Sequence, residues 1–242
     1  MPGTLRLVFV GDSITYGGGS IPESELFVNR VSTVLQSRST AKVETINLSA
    51  PGWGIANMAG YIAMNGVYDA DVVIWVLPEC DFRRLKTSLE EQHFLTDQPW
   101  SRLLYMAYLA TTQNAIRQQK DKGQENETIF EGNVALLMET LKKLALNGTR
   151  VGLVVLPSEN QGKSYELDTR ILRTMAVAHS IPILDTTQTF QLKRSDDLYL
   201  DGAHLSRNGH KVMAESISHF LWLSIIPVPV TPSSFAEMVG GH

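Results

Sequence analysis

The chain has a single cysteine, Cys80. One thiol cannot close an internal disulfide or build a cysteine-rich metal site, so the fold needs no oxidising compartment. A large excess of either charge is also lacking. Lys and Arg number 21 against 25 Asp and Glu, and the net charge of −4 offers no basic face for nucleic acid and no polybasic membrane signal. No apolar run approaches the length of a membrane span, so no integral membrane segment is expected. The first apolar run begins at Leu5, which leaves no room for a signal peptide before it. The expectation is a cytoplasmic protein, or an exported one if a leader preceded residue 1. Internal repeats are absent too. What the chain does have is core material: 43% of its 242 residues are hydrophobic, enough for one α/β domain.

Short apolar runs punctuate the sequence at Leu5–Val10, Val43–Leu48, Asp71–Leu77, Val151–Leu156 and Ile181–Leu184. Each predicts a β-strand, and the third is apolar enough to be buried on both faces. Helical spacing follows the first at Phe27, Val31, Val34 and Leu35, and a second helix is expected over about 55–64. The last helix is predicted from about Arg207 to Leu223, with Ser206 as its cap and Met213, Ile217, Phe220 and Leu221 as its inward stripe. Strands alternating with helices imply a parallel sheet covered on both sides. The connection between the third and fourth strands is longer than a crossover needs and reads as a helical insertion at about 86–147, with helices over 103–120 and 133–146. Phe94, Trp100, Tyr105, Met106 and Tyr108 make it unusually aromatic. Those side chains either pack the inserted helices together or form a lid or acyl-binding wall over a site. A single domain over 1–223 is therefore expected. The tail at 224–242 carries Pro227, Pro229 and Pro232 and cannot continue a helix.

Two segments carry chemistry. The first strand runs into Gly11-Asp12-Ser13-Ile14, and far downstream stands Asp201-Gly202-Ala203-His204. A serine nucleophile needs a base to take its proton, and the base needs an acid to hold its tautomer. Ser13, His204 and Asp201 supply that set, with Asp201 expected to reach the imidazole within one helical turn. Gly11 permits the sharp turn after the strand, and Asp12 is expected to order that turn rather than react. The plain alternatives are a simple Gly-Asp-Ser turn and an Asp-Gly turn followed by a surface histidine. Ser49-Ala50-Pro51-Gly52-Trp53-Gly54 is a glycine loop after the second strand, and Gly52 there lets backbone approach a ligand beside the first strand's end. His93, His179, His210, His219 and His242 lack an acid in a comparable setting and read as solvated or helix-face residues. No ligand cluster surrounds them, so neither a metal nor a cofactor is expected.

Taken together these motifs resemble the SGNH (GDSL) hydrolase family of esterases and lipases, over Leu5 to about Leu223. The resemblance implies a flavodoxin-like, three-layer α/β/α fold with a five-stranded parallel sheet ordered 2-1-3-4-5. It implies Ser13 as nucleophile, His204 as general base and Asp201 as the orienting acid. It also implies an oxyanion hole built from the backbone N–H groups of Ser13 and Gly52. The family's third motif, Gly-x-Asn-Asp, supplies an asparagine amide as a further donor. Here the chain reads Pro78-Glu79-Cys80-Asp81, so Cys80 stands at the asparagine position. A thiol is a poor donor, and loss of one oxyanion donor typically costs about 3 kcal/mol in the barrier. Arg83 and Arg84 lie nearby and could supply a cationic donor, but nothing in the sequence aims them inward, and surface ion pairs with Glu79, Glu90 or Glu91 are expected for them. The implied activity is hydrolysis of a small or medium acyl ester, such as an O-acetyl sugar or a short-chain lipid ester, through an acyl-Ser13 intermediate. The alternatives are acyl transfer from the same intermediate and a non-catalytic binding module on the same fold. The implied partner is a small-molecule acyl ester or an acylated carbohydrate, not nucleic acid.

Overall fold

Leu7 and Phe9 project to one side of the first strand, β1 (Thr4–Gly11), and Val8 and Val10 to the other, and all four are fully buried. That alternation organises the molecule. The structure, a computed structural model, describes residues 3–84, 101, 127–159 and 165–226. Four further strands, β2 (Lys42–Ser49), β3 (Val72–Pro78), β4 (Arg150–Leu156) and β5 (Ile183–Asp185), join β1 in one sheet. All pairings are parallel and the order is β2-β1-β3-β4-β5, the order expected above.

Every residue of β3 is buried, because helices cover both faces of the sheet. Val73, Trp75 and Leu77 meet α3 (Ile55–Asn65), α4 (Glu127–Leu146) and α5 (Tyr165–Ala178) through residues such as Met58, Leu137 and Leu172. Val72, Ile74 and Val76 join the opposite core with Phe27 and Val31 of α2 (Phe27–Gln36), Phe190 of α6 (Thr187–Leu192) and Ile217 of α7 (Arg207–Ser224). Each such side chain contributes roughly 1.5–3 kcal/mol on burial. Ser206 caps α7 as expected, its Oγ accepting the Gly209 N–H at 3.1 Å. Gly152 in β4 makes room for the end of that helix, since a Cβ there would lie 2.5 Å from Ile225 Cδ1.

Some expectations need correction. The fifth strand begins at Ile183 rather than Ile181, because Pro182 has no N–H to donate and contributes only its carbonyl, to Leu153 N at 2.9 Å. The later inserted helix begins at Glu127 rather than Asn133. Helices α5 and α6 had no sequence expectation. The earlier inserted helix, the aromatic residues from Phe94 to Tyr108 and the proline-rich tail beyond Ile226 lie outside the described residues. His210, expected to be solvated or on a helix face, lies on α7 with its ring buried rather than solvated. It is 1% exposed, its Nδ1 accepts the Phe27 N–H at 3.2 Å, and its ring stacks on Phe27 with centroids 5.7 Å apart. The first-turn amide of α2 thus finds its acceptor on another helix. Burial, with Arg30 adding, pushes the His210 pKa down to about 4. His179 and His219 are exposed, whereas His93 and His242 lie outside the described residues.

Arg83 also departs from the expected surface pairing. Its guanidinium grips buried Asp168 of α5 with two hydrogen bonds, at 2.9 and 2.8 Å, and lies 5.1 Å from the centre of the Phe130 ring. That fork joins the 3₁₀ turn Glu79–Arg83, which follows β3, to the helical layer. Among the described residues no helix is long and apolar enough to cross a membrane, and no three His, Cys, Asp or Glu side chains gather as a metal would require.

Candidate active site

β1 ends at Gly11, where any side chain would overlap that of Thr15. The chain turns at Asp12, whose Oδ1 accepts the Ile14 N–H at 2.9 Å and caps the one-turn helix α1 (Ser13–Tyr16). Gly17, at φ 86°, closes that helix by donating its N–H to Ser13 O at 3.0 Å. Ser13 is therefore the first residue of α1, at the C-terminal end of β1. Asn47 of β2 braces the turn by donating its amide N–H to Thr15 O at 2.9 Å.

His204 arrives from the loop between the 3₁₀ turn Arg194–Asp196 and α7. The loop folds on itself: Tyr199 and Leu205 form an antiparallel bridge, Leu200 N donates to His204 O at 2.8 Å, and Ser206 N donates to Leu198 O at 2.9 Å. The segment after β4 supports it from below, with Glu159 N donating to Gly202 O at 2.9 Å and the Tyr199 hydroxyl to Pro157 O at 2.5 Å. Within the loop, Asp201 Oδ1 accepts the backbone N–H groups of Ala203 and His204 at 3.2 and 2.8 Å. Its Oδ2 lies 2.8 Å from His204 Nδ1, and His204 Nε2 lies 3.0 Å from Ser13 Oγ. The expected helical turn is not what brings Asp201 to the ring. The segment is a non-helical bend with Gly202 at φ 81°, a conformation that favours glycine.

The backbone N–H of His204 and its imidazole, together with the Ala203 N–H, hold the Asp201 carboxyl down to about 2. An ionised carboxylate facing Nδ1 favours the tautomer with the proton on that nitrogen, leaving the Nε2 lone pair directed at Ser13. The arrangement can take a proton from a hydroxyl and hold the resulting positive charge.

Two further expected residues sit at the same sheet edge. Gly52, at φ 78°, lies in the turn closed by Trp53 N donating to Ala50 O at 3.2 Å, just past β2, whose Ser49 pairs with Gly11. Cys80 lies in the 3₁₀ turn that follows β3, the other neighbour of β1, and its side chain falls outside the described residues.

Arg84 had been expected at the surface, and the structure turns it inward. Its Nε lies 3.3 Å from Asp81 Oδ1 and its Nη1 3.6 Å from Asp12 Oδ2, while Nη1 also donates to Trp53 O at 2.9 Å. Asp12 and Asp81 are 1% and 0% exposed. Burial pushes the Asp12 carboxyl up from its ordinary value, opposed by the Ile14 N–H and by the charges of Arg84 and His204. A cavity of about 230 Å³ lies behind the His204 loop, between Pro157, Phe190, Arg194 and Tyr199, and its lining includes neither Ser13 nor His204.

No family model matches the chain, and no curated protein matches its sequence. Solved structures do match in three dimensions. An acetyl xylan esterase from Geobacillus stearothermophilus is similar with a TM-score of 0.60 at 17% identity, over 92% of this chain and 97% of that one. A lipolytic protein of the G-D-S-L family from Desulfitobacterium hafniense is similar with a TM-score of 0.59 at 16% identity, over 90% and 99% of the two chains. For a lipase/acylhydrolase from Enterococcus faecalis the TM-score is 0.58 at 15% identity, over 93% and 99%. At such identities the likeness is one of architecture, and it extends over nearly the whole of each chain: this protein has an SGNH hydrolase-like fold.

Proposed function

We propose that the protein is a serine ester hydrolase, and the observation that carries the reading is the Ser13–His204–Asp201 relay with its 3.0 and 2.8 Å contacts. His204 Nε2 removes the Ser13 hydroxyl proton as Oγ attacks the ester carbonyl carbon. The carbonyl π electrons move onto oxygen, and the N–H groups of Ser13 and Gly52 receive that charge. Collapse of the tetrahedral intermediate breaks the bond to the alcohol oxygen, which takes the proton from His204 Nε2. Water then attacks the acyl-Ser13 carbonyl as His204 removes its proton. The second collapse releases the carboxylic acid and returns the proton to Ser13 Oγ.

The substrate class is a small or medium acyl ester, including an O-acetyl group on a carbohydrate. The structural likeness to an acetyl xylan esterase and to a lipase/acylhydrolase supports ester chemistry of that class. The His204 and Asp201 side chains are 43% and 57% exposed, which gives water a path to the acyl-enzyme, and product analysis with an added acceptor alcohol separates hydrolysis from acyl transfer. A non-catalytic binder would have no chemical need of an imidazole placed between a carboxylate and a hydroxyl.

The test is a chain-length series of chromogenic acyl esters with wild type and Ser13→Ala side by side, followed by labelling with a serine-directed phosphonate. Turnover is expected for short acyl chains and lost in Ser13→Ala, with the label recovered on the Ser13 peptide. Label on Cys80, or turnover that survives Ser13→Ala but not Cys80→Ala, overturns the reading and makes this a thiol enzyme.

A further inference from the structure

We propose that Arg84 is a positioning residue for acylation, a clamp that holds the nucleophile turn and the Gly52 loop in register with the turn after β3. The inference rests on the serine-hydrolase reading. Three segments must cooperate at this edge of the sheet: the turn after β1 carrying Ser13, the turn after β2 carrying Gly52, and the turn after β3. They belong to different strands, and a nucleophile and its donors must hold their relative places to within about 0.5 Å to be productive.

The Arg84 guanidinium reaches all three. Nε faces Asp81 at 3.3 Å in its own turn, while Nη1 faces Asp12 at 3.6 Å and donates to Trp53 O at 2.9 Å. Asp12 divides its carboxylate between two tasks, since Oδ1 caps the helix that begins with Ser13 and Oδ2 meets the arginine. Trp53 directly follows Gly52, so the bond to its carbonyl fixes the loop one residue past the proposed donor. The clamp is itself held in place: Asn133 of α4 donates its side-chain N–H to Arg84 O at 3.0 Å and to Phe82 O at 3.1 Å. Gly54 has no side chain where the arginine stem passes, and a Cβ there would sit 3.2 Å from Arg84 Cβ.

An ordinary buried ion pair would need only a cation in this place. The clamp needs more, because one planar fork serves two carboxylates and a carbonyl in different directions, which a lysine ammonium on a flexible stem cannot match. Arg84→Lys therefore keeps the charge beside Asp12 and Asp81 but loses the geometry. Charge and position are thus separable by experiment.

The experiment measures kcat and KM on a short-chain chromogenic ester, and the rate of phosphonate labelling at Ser13, for wild type, Arg84→Lys and Arg84→Ala, with near-UV circular dichroism for each. Arg84→Lys is expected to keep the wild-type spectrum and to lower both kcat and the labelling rate by about tenfold, with KM changed less than about threefold. Arg84→Ala is expected to lose on the order of a hundredfold, the scale of a misplacement near 1 Å. Wild-type kcat and labelling rate in Arg84→Lys overturn the proposal, because charge alone then suffices. A raised KM with unchanged kcat overturns it in favour of a binding role, and loss of the folded spectrum in Arg84→Lys overturns it in favour of a purely structural one. Failure of the hydrolase reading itself shows separately, as wild-type enzyme that takes no phosphonate on Ser13.

Discussion

His204 Nε2 lies 3.0 Å from Ser13 Oγ although 191 residues separate the two in the chain. The helices that follow each of them enforce the distance. α2 begins shortly after Ser13 and α7 shortly after His204, and the Phe27 N–H bonds His210 Nδ1 at 3.2 Å between them. Glu25 adds a second tie, its carboxylate meeting Arg207 at 2.5 Å and Arg30 at 3.6 Å. His204 and Ser13 meet because the helices that follow them pack in one layer of the fold.

Asp201→Asn should lower kcat by about a hundredfold to ten-thousandfold with little change in stability, since an amide cannot hold the imidazole proton on Nδ1. His204→Ala should cost at least as much. With its pKa held down to about 2, Asp201 stays ionised as pH falls through the working range, and the favourable contribution of its carboxylate is full well above 3.8 and lost progressively from there down to about pH 2. Asp201 should therefore add no proton of its own to the acid limb of kcat/KM, which should fall by a single proton toward low pH. A two-proton limb measured with a short-chain ester would contradict this.

The buried imidazole of His210 predicts a separate pH dependence, this one of stability. Its folded pKa of about 4 lies below the ordinary 6.5, so the unfolded chain binds the extra proton first as pH falls. The stability of neutral His210 is fully present above pH 6.5 and is lost progressively down to about pH 4, by on the order of 3 kcal/mol. Urea unfolding at pH 7, 5.5 and 4.5 should show that loss. His210→Gln, which keeps an acceptor for the Phe27 N–H but does not titrate, should flatten it.

Gly11→Ala should abolish turnover. The added methyl group would overlap the Thr15 side chain, and the one-turn helix carrying Ser13 has no room to retreat with Ile14 and Thr15 buried beneath it. Phosphonate labelling of Ser13, compared with wild type at matched soluble concentration, reads the displacement directly.

Arg83→Ala should destabilise the protein by about 3 kcal/mol, because it leaves the 1% exposed Asp168 carboxylate without the guanidinium that holds it. Replacing both partners, as Arg83→Met with Asp168→Leu, should recover most of that loss. Chemical denaturation of the two variants against wild type measures the difference.

β1, β3 and β4 were legible in the sequence because each is a short apolar run largely buried on both faces, where the period-2 pattern collapses into continuous Val, Ile and Leu, while the edge strands β2 and β5 are only partly buried and carry fewer apolar residues. Ser13, Asp201 and His204 were legible because each carries a local signature: a glycine turn at a strand's end, or an acid and an imidazole three residues apart. Arg83 and His210 carried none, and Arg84 only Asp81 three residues before it. Their other neighbours, Asp168, Asp12 with Trp53, and Phe27, lie far from them in sequence. Whether a polar side chain faces water or another segment depends on which surfaces the helices and turns bring together. The sequence by itself determined the strands, their alternation with helices and the residue types at the site. Only the tertiary structure decided which charges are buried and what each one holds, since that depends on long-range packing rather than on any local pattern.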